Sequence, residues 1–205
     1  MKKKVVGICG STRKNETDFA VQHALKILGE EYDCETFYYT VRGKKINPCI
    51  HCNQCIKKEL TYCPLYEDDD MMPLYEKVFN ADVIILGSPV FGMGMTPQLS
   101  AVLSRFRPNY ILIRDNPNAF YDKLGAAIAV GGTRNGGQEI AITSMHGFFH
   151  TNGIIPIGAS LGIYAGASIW SQDKTPFDET VDPQCIKNLE VLTRKVGETL
   201  KLISK

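Results

Sequence analysis

The stretch Asp82-Val83-Ile84-Ile85-Leu86-Gly87-Ser88-Pro89 decides the fold. Its unbroken apolar run is too short for an ordinary helix, and no polar residue alternates within it. Such a run reads as a strand covered on both faces, the environment of a parallel sheet flanked by helices. Lys4 to Cys9 and Gly125 to Val130 are runs of the same kind.

Helical patterns separate these strands. Asp18 to Leu28 puts Val21, Ala24, Leu25 and Leu28 on one stripe, with Thr17 or Asp18 as N-cap. Cys34 to Tyr39 is β-prone and suits an edge strand. Asp70 caps an expected helix from about Met71 to Phe79, making Asp68-Asp69-Asp70 a solvated helix start rather than a metal site. Thr96-Pro97 reads as N-cap and first-turn proline, with Leu99, Val102, Leu103 and Phe106 inward and Pro108 as the stop. A further helix is expected from Gln138 to about His150, burying Ile140, Ala141, Met145 and Phe148. Pro156 lacks a ladder donor, so Ile154 to Ile157 reads as an edge strand. Asp182-Pro183 opens a last helix with the stripe Ile186, Leu189, Val196, Leu200 and Ile203.

Strands alternating with helices mean an α/β fold, expected as one domain over residues 1–205. The pattern fits a doubly wound, five-stranded parallel sheet in the flavodoxin-like order 2-1-3-4-5. With 23 Lys+Arg against 22 Asp+Glu, charge gives no reason to expect a nucleic-acid partner. The apolar run after Lys2-Lys3-Lys4 is too short for a signal peptide, and no run is long enough to cross a membrane. The expectation is a cytoplasmic protein with reduced thiols.

In such sheets ligands bind beyond the carboxyl ends of the strands, where strand order reverses. The loops expected there are glycine- or serine-rich. Gly10-Ser11-Thr12-Arg13-Lys14-Asn15-Glu16-Thr17 offers hydroxyls, main-chain N–H groups and a cation at a helix start, which suits a phosphate; an ordinary capped turn is the alternative. It lacks the glycine spacing of a dinucleotide fingerprint. Gly87-Ser88-Pro89-Val90-Phe91-Gly92-Met93-Gly94-Met95 lets main chain approach a flat ring, with Phe91 or Met95 against it. Gly131-Gly132-Thr133-Arg134-Asn135-Gly136-Gly137-Gln138-Glu139 offers N–H donors and Arg134 to the polar edge of such a ring.

Between Thr40 and Asp69 no periodicity is sustained, and the segment holds Cys49, Cys52, Cys55 and Cys63 in a Cys-x2-Cys-x2-Cys-x7-Cys pattern followed by Pro64. Sulfurs at three-residue intervals converge on one centre if the backbone curls tightly. That spacing favours a [4Fe-4S] cluster in a loop at about 46–66. Zinc, or thiols with no metal, are the alternatives. Cys9 and Cys185 read as small core residues, Cys34 lacks a partner at metal spacing, and His146 and His150 read as packing or surface residues. His51 lies between cluster cysteines and is not needed as a ligand. Trp170 lies in the stretch 159–181, which either covers the ring or meets another subunit.

Taken with the cysteine motif, Gly10-Ser11-Thr12-Arg13, Gly87-Ser88-Pro89-Val90-Phe91 and Gly131-Gly132-Thr133-Arg134-Asn135-Gly136-Gly137-Gln138-Glu139 resemble an iron-sulfur flavoprotein. That family sits within the NADPH-dependent FMN reductase group. The resemblance implies FMN and one [4Fe-4S] cluster per chain in an FMN-dependent oxidoreductase. Ser11, Arg13, Asn15 and Thr17 would hold the FMN phosphate. Ser88, Pro89, Val90, Phe91 and Gly92, with Gly131, Gly132, Thr133, Arg134, Asn135, Gly136 and Gly137, would flank and edge the ring. Cys49, Cys52, Cys55 and Cys63 would ligate the cluster. It further implies ferredoxin or NAD(P)H as donor, a small-molecule acceptor, and a homodimer or homotetramer. The phosphate loop departs from the family's usual Gly-Asn-Thr ending, having Glu16-Thr17-Asp18; Glu16 is expected to face solvent. Ser104, before Arg105, stands where the family often has aspartate. The competing readings are an NAD(P)H-dependent flavin or quinone reductase with a zinc-filled or idle cysteine site, and a flavodoxin-like electron carrier.

Overall fold

The computed structural model describes residues 2–158, 161–174 and 181–203. Within them the chain runs β1 (Lys4–Cys9), α1 (Glu16–Tyr32), β2 (Glu35–Thr40), α2 (Gln54–Lys57), α3 (Met72–Phe79), β3 (Val83–Pro89), α4 (Pro97–Ser104), α5 (Asn109–Asp115), β4 (Leu124–Gly131), α6 (Gln138–Asn152), β5 (Ile155–Pro156), β6 (Ala167–Trp170) and α7 (Pro183–Ile203). The stretch at Asp82 is the central strand β3, paired in parallel with β1 on one side and β4 on the other.

The sheet order is β2-β1-β3-β4-β5, as expected, with β6 also paired to β4. The expected fifth strand is thus two short pieces sharing one edge of β4. Ile155 and Pro156 lie beside Leu124 and Gly125, and the chain leaves the sheet before Ala167 to Trp170 rejoin it beside Ile128 to Gly131. Pro156 does sit on an edge, where its missing donor breaks no ladder bond.

The central run is apolar throughout because both its faces are covered. Val83 and Ile85 pack with Val21, Leu25 and Leu28 of α1 and Leu189, Leu192 and Val196 of α7. Ile84 and Leu86 face the opposite layer, with Leu74 and Val78 of α3, Leu99 and Val102 of α4, and Met145 and Phe149 of α6. Each fully buried aliphatic side chain contributes about 1.5–3 kcal/mol.

Several local expectations are corrected. Helix α1 begins at Glu16, ahead of the expected caps, because Asn15 takes the N-cap position. Pro108 ends no long helix; α4 stops at Ser104 and Pro108 is the N-cap of α5, which periodicity did not disclose. In α6, Ile140 is exposed, while Ile142 and Phe149 are buried with Ala141 and Met145; the buried face is rotated from the expected one. Ile203 is exposed at the end of α7, whose buried stripe includes Leu192 instead. Helix α3 starts after Met71 with no side-chain cap, so Asp70 is not its cap. Of the stretch 159–181, residues 159–160 and 175–180 lie outside the described residues. Among the described residues no helix is long and apolar enough to cross a membrane.

Candidate functional site

The loops after β1, β3 and β4 meet at one end of the sheet. Gly10 donates to the Gly87 carbonyl at 2.7 Å, Thr96 Oγ1 donates to the Gly10 carbonyl at 2.8 Å, and Val90 donates to the Val130 carbonyl at 2.9 Å. Gly10 must be glycine: an added Cβ would lie 2.8 Å from Leu99 Cβ.

In the first loop Ser11 is buried, its Oγ donating to the Arg13 carbonyl at 3.0 Å and accepting from the Arg13 amide at 3.1 Å. That ST-turn leaves Thr12, Arg13 and Lys14 exposed. Asn15 makes no side-chain cap bond, so the first N–H groups of α1 are open to an anion. Thr17 is buried at this helix start. Glu16, expected in solvent, is buried with Asn15 Nδ2 donating to its Oε1 at 3.3 Å. The early helix start accounts for this, since it places Glu16 in the first turn, where the helix dipole favours a carboxylate. Asp18 is committed elsewhere, accepting from Arg42 Nη1 at 2.7 Å and the Tyr38 hydroxyl at 2.6 Å. Burial, followed by the bond to Asp18, drives the Tyr38 hydroxyl pKa upward, so it remains a donor.

The second loop is a tight hairpin. Phe91 and Gly94 exchange both main-chain hydrogen bonds at 2.9 Å across Gly92 and Met93, which have φ of 53° and 66°. Phe91 and Met93 stand exposed at its tip. Ser88 is wholly buried; its Oγ donates to the Pro89 carbonyl at 2.8 Å and accepts from the Thr96 amide at 3.0 Å, closing the loop. Pro89 and Val90 are half-buried beneath the tip.

The third loop is braced by Gln138, read from sequence as the end of that loop and the start of a helix. Its Nε2 donates to the Thr133 carbonyl at 2.6 Å and its Oε1 accepts from the Gly136 amide at 2.9 Å. A Cβ at Gly131 would strike Gln138 and one at Gly132 the Asp173 carboxylate, while Gly137 has φ of 105°. Trp170, unplaced by sequence, donates from Nε1 to the Gly132 carbonyl at 3.0 Å and carries the Arg134 guanidinium 4.7 Å from its ring centre. Thr133, Arg134 and Asn135 are exposed.

The cysteine loop turns sharply at Cys52. His51 and Asn53, on either side of Cys52, have φ of 57° and 58°, and Cys49 Sγ accepts from the His51 amide at 3.3 Å. Cys49, Cys52, Cys55 and Cys63 all line one cavity. All seven cysteines are free thiols. Burial pushes the Cys55 thiol up. Among the described residues no group of three or more His, Cys, Asp and Glu is gathered to hold a metal ion. Four thiols lining one cavity are the kind of donor set that an iron-sulfur cluster would use.

The loop's base is buried. Asp69 and Arg105 form an ion pair with neither side chain exposed. Arg105 Nη1 also donates to the Asn47 carbonyl at 2.9 Å, and Asp69 accepts from the amides of Asn47 and Met71. This corrects the solvated reading of the acidic run: Asp68 is exposed, whereas Asp69 anchors the loop. Cys49 is tied to α4, its amide donating to Ser104 Oγ at 3.1 Å.

The model of the NADPH-dependent FMN reductase family matches residues 3–167. An iron-sulfur flavoprotein of Methanocaldococcus jannaschii is 41% identical, the alignment covering 97% of both chains. The chain belongs to the iron-sulfur flavoprotein family, within the NADPH-dependent FMN reductases. An iron-sulfur flavoprotein of Archaeoglobus fulgidus is also 41% identical, over 96% of this chain and 97% of its own. Among solved structures, an apo NADH:FMN oxidoreductase shares the fold with a TM-score of 0.69 at 16% identity, covering 97% of this chain and 90% of its own. Membership makes the chain an FMN-dependent oxidoreductase. The three converging loops offer an open helix start, glycine main chain and exposed apolar tips, features that a phosphate and a flat ring could use.

Proposed function

We propose that the protein relays electrons between a [4Fe-4S] cluster held by Cys49, Cys52, Cys55 and Cys63 and FMN held by the loops after β1, β3 and β4. Bound FMN supplies two-electron chemistry and the cluster one-electron chemistry; the chain positions and tunes them. The first loop, through Ser11, Arg13, Asn15 and Thr17, orients the phosphate. Main chain from Ser88 to Gly92 and from Gly131 to Gly137 shields and edges the ring. The electrons come from ferredoxin or NAD(P)H and pass to a small-molecule acceptor, in a cytoplasmic homodimer or homotetramer.

One observation carries this reading: α4 links the two sites. Thr96 at its start bonds to Gly10 of the first loop, and Ser104 at its end bonds to Cys49. About 12 Å of helix therefore separates the flavin loops from the cysteine loop. The test is Cys52→Ala, prepared anaerobically and given reduced ferredoxin. Iron should be lost, FMN retained, and flavin reduction slowed at least tenfold; an unchanged rate would rule out the relay. The family match favours one second reading, direct reduction by NADPH. Rapid bleaching of the flavin by NADPH alone in an iron-free protein would select it.

A further inference from the structure

Two guanidiniums, Arg105 and Arg107, border the cysteine cavity, and their charges are matched differently. Arg105 is neutralised by Asp69 in the buried pair and lies 4.9 Å from the centre of the Tyr66 ring. Arg107 has no carboxylate partner among the described residues. It gives Nε and Nη2 to the uncharged side-chain oxygen of Asn53, at 3.0 and 2.8 Å. Asn53 sits between Cys52 and Cys55 in left-handed conformation, so the winding of the loop presents its amide to Arg107.

We propose that Arg107 raises the reduction potential of the centre bound by the four cysteines, and that Asn53 positions it for this. The inference rests on the cluster reading above. Four thiolates make the centre anionic, and each electron accepted from the donor adds negative charge. An unmatched cation on a half-buried wall stabilises the reduced state more than the oxidised one. Arg105 does this less because its charge is cancelled beside it. Arginine suits the position because its planar fork accepts a single fixed orientation on Asn53.

The test is an EPR-monitored redox titration of the full chain, reconstituted anaerobically, with iron, sulfide and flavin measured for every sample. Arg107→Gln removes the charge and weakens the hold on Asn53; Asn53→Asp cancels the charge and strengthens that hold. Both should raise the oxidised-to-reduced ratio at fixed potential at least tenfold, a downward shift of about 59 mV or more for a one-electron couple. Arg107→Lys should stay within threefold of the parent. Asn53→Asp also lowers the potential through its own carboxylate, so the deciding variant is Arg107→Gln: an unmoved potential at full iron content would overturn the inference. Should Arg107→Gln fail to retain iron, Asn53→Gly, which suits the positive φ and releases Arg107 without adding a charge, decides: a downward shift supports the inference and an unmoved potential overturns it. A parent protein that binds no iron or sulfide would overturn the cluster reading and this inference together; an intact cluster with unmoved potentials would overturn this inference alone.

Discussion

A Cβ placed on Gly137 would lie 2.6 Å from Met93 Cα, so the hairpin after β3 and the turn opening α6 meet main chain to main chain. Gly137 also has φ of 105°, which side-chain-bearing residues rarely adopt. Gly137→Ala should therefore force the two loops apart at a cost of about 1 kcal/mol or more to the fold. FMN affinity should fall at least tenfold, read by flavin fluorescence on refilling the apoprotein. Gly92→Ala is the comparison: nothing lies within 4 Å of its added Cβ, so only the strain of its φ of 53° applies and the loss should be smaller.

Asp69 and Arg105 set a second expectation. Asp69→Ala leaves Arg105 buried without its counter-charge, a change that costs about 3–5 kcal/mol. Replacing both residues together by methionine should cost much less, because no unpaired charge remains. Urea unfolding of the single and double variants measures the difference. Equal losses would show that the pair does not act as a unit.

His146 makes stability depend on pH. Burial first, and then the neighbouring His150, lower its pKa from the usual 6.5. Its Nε2 is buried with no hydrogen-bond partner. The unfolded chain thus takes up this proton at higher pH than the folded one. The stabilising contribution is complete above about pH 6.5 and falls as pH drops through the lower folded value. Denaturation midpoints between pH 7.5 and 5 should decline in the parent, and less so in His146→Asn.

The parts of the fold legible in sequence were those with one physical solution. Val83 to Leu86 are apolar on both faces, which leaves a doubly covered strand and fixes the class. The three glycine-bearing loops and the spaced cysteines stood out for similar reasons. Long-range pairing was not legible. Asp68, Asp69 and Asp70 look alike in a string, and only the return of α4 brings Arg105 to Asp69. Trp170 acquires its place from the edge of β4, since a four-residue strand has too little pattern of its own. Gln138 belongs to the third glycine-rich segment, but nothing in the string shows that its side chain holds the turn between Thr133 and Gly136. Pro108 could end one helix or begin another, and the structure uses it to begin α5.

The most direct test of the account is the composition of the protein purified without oxygen: iron, acid-labile sulfide and FMN per chain, with an absorption spectrum. Four thiols around one cavity and three loops around one sheet end predict four iron, four sulfide and one FMN per chain. A colourless, iron-free protein, or one holding FMN and zinc alone, would contradict it.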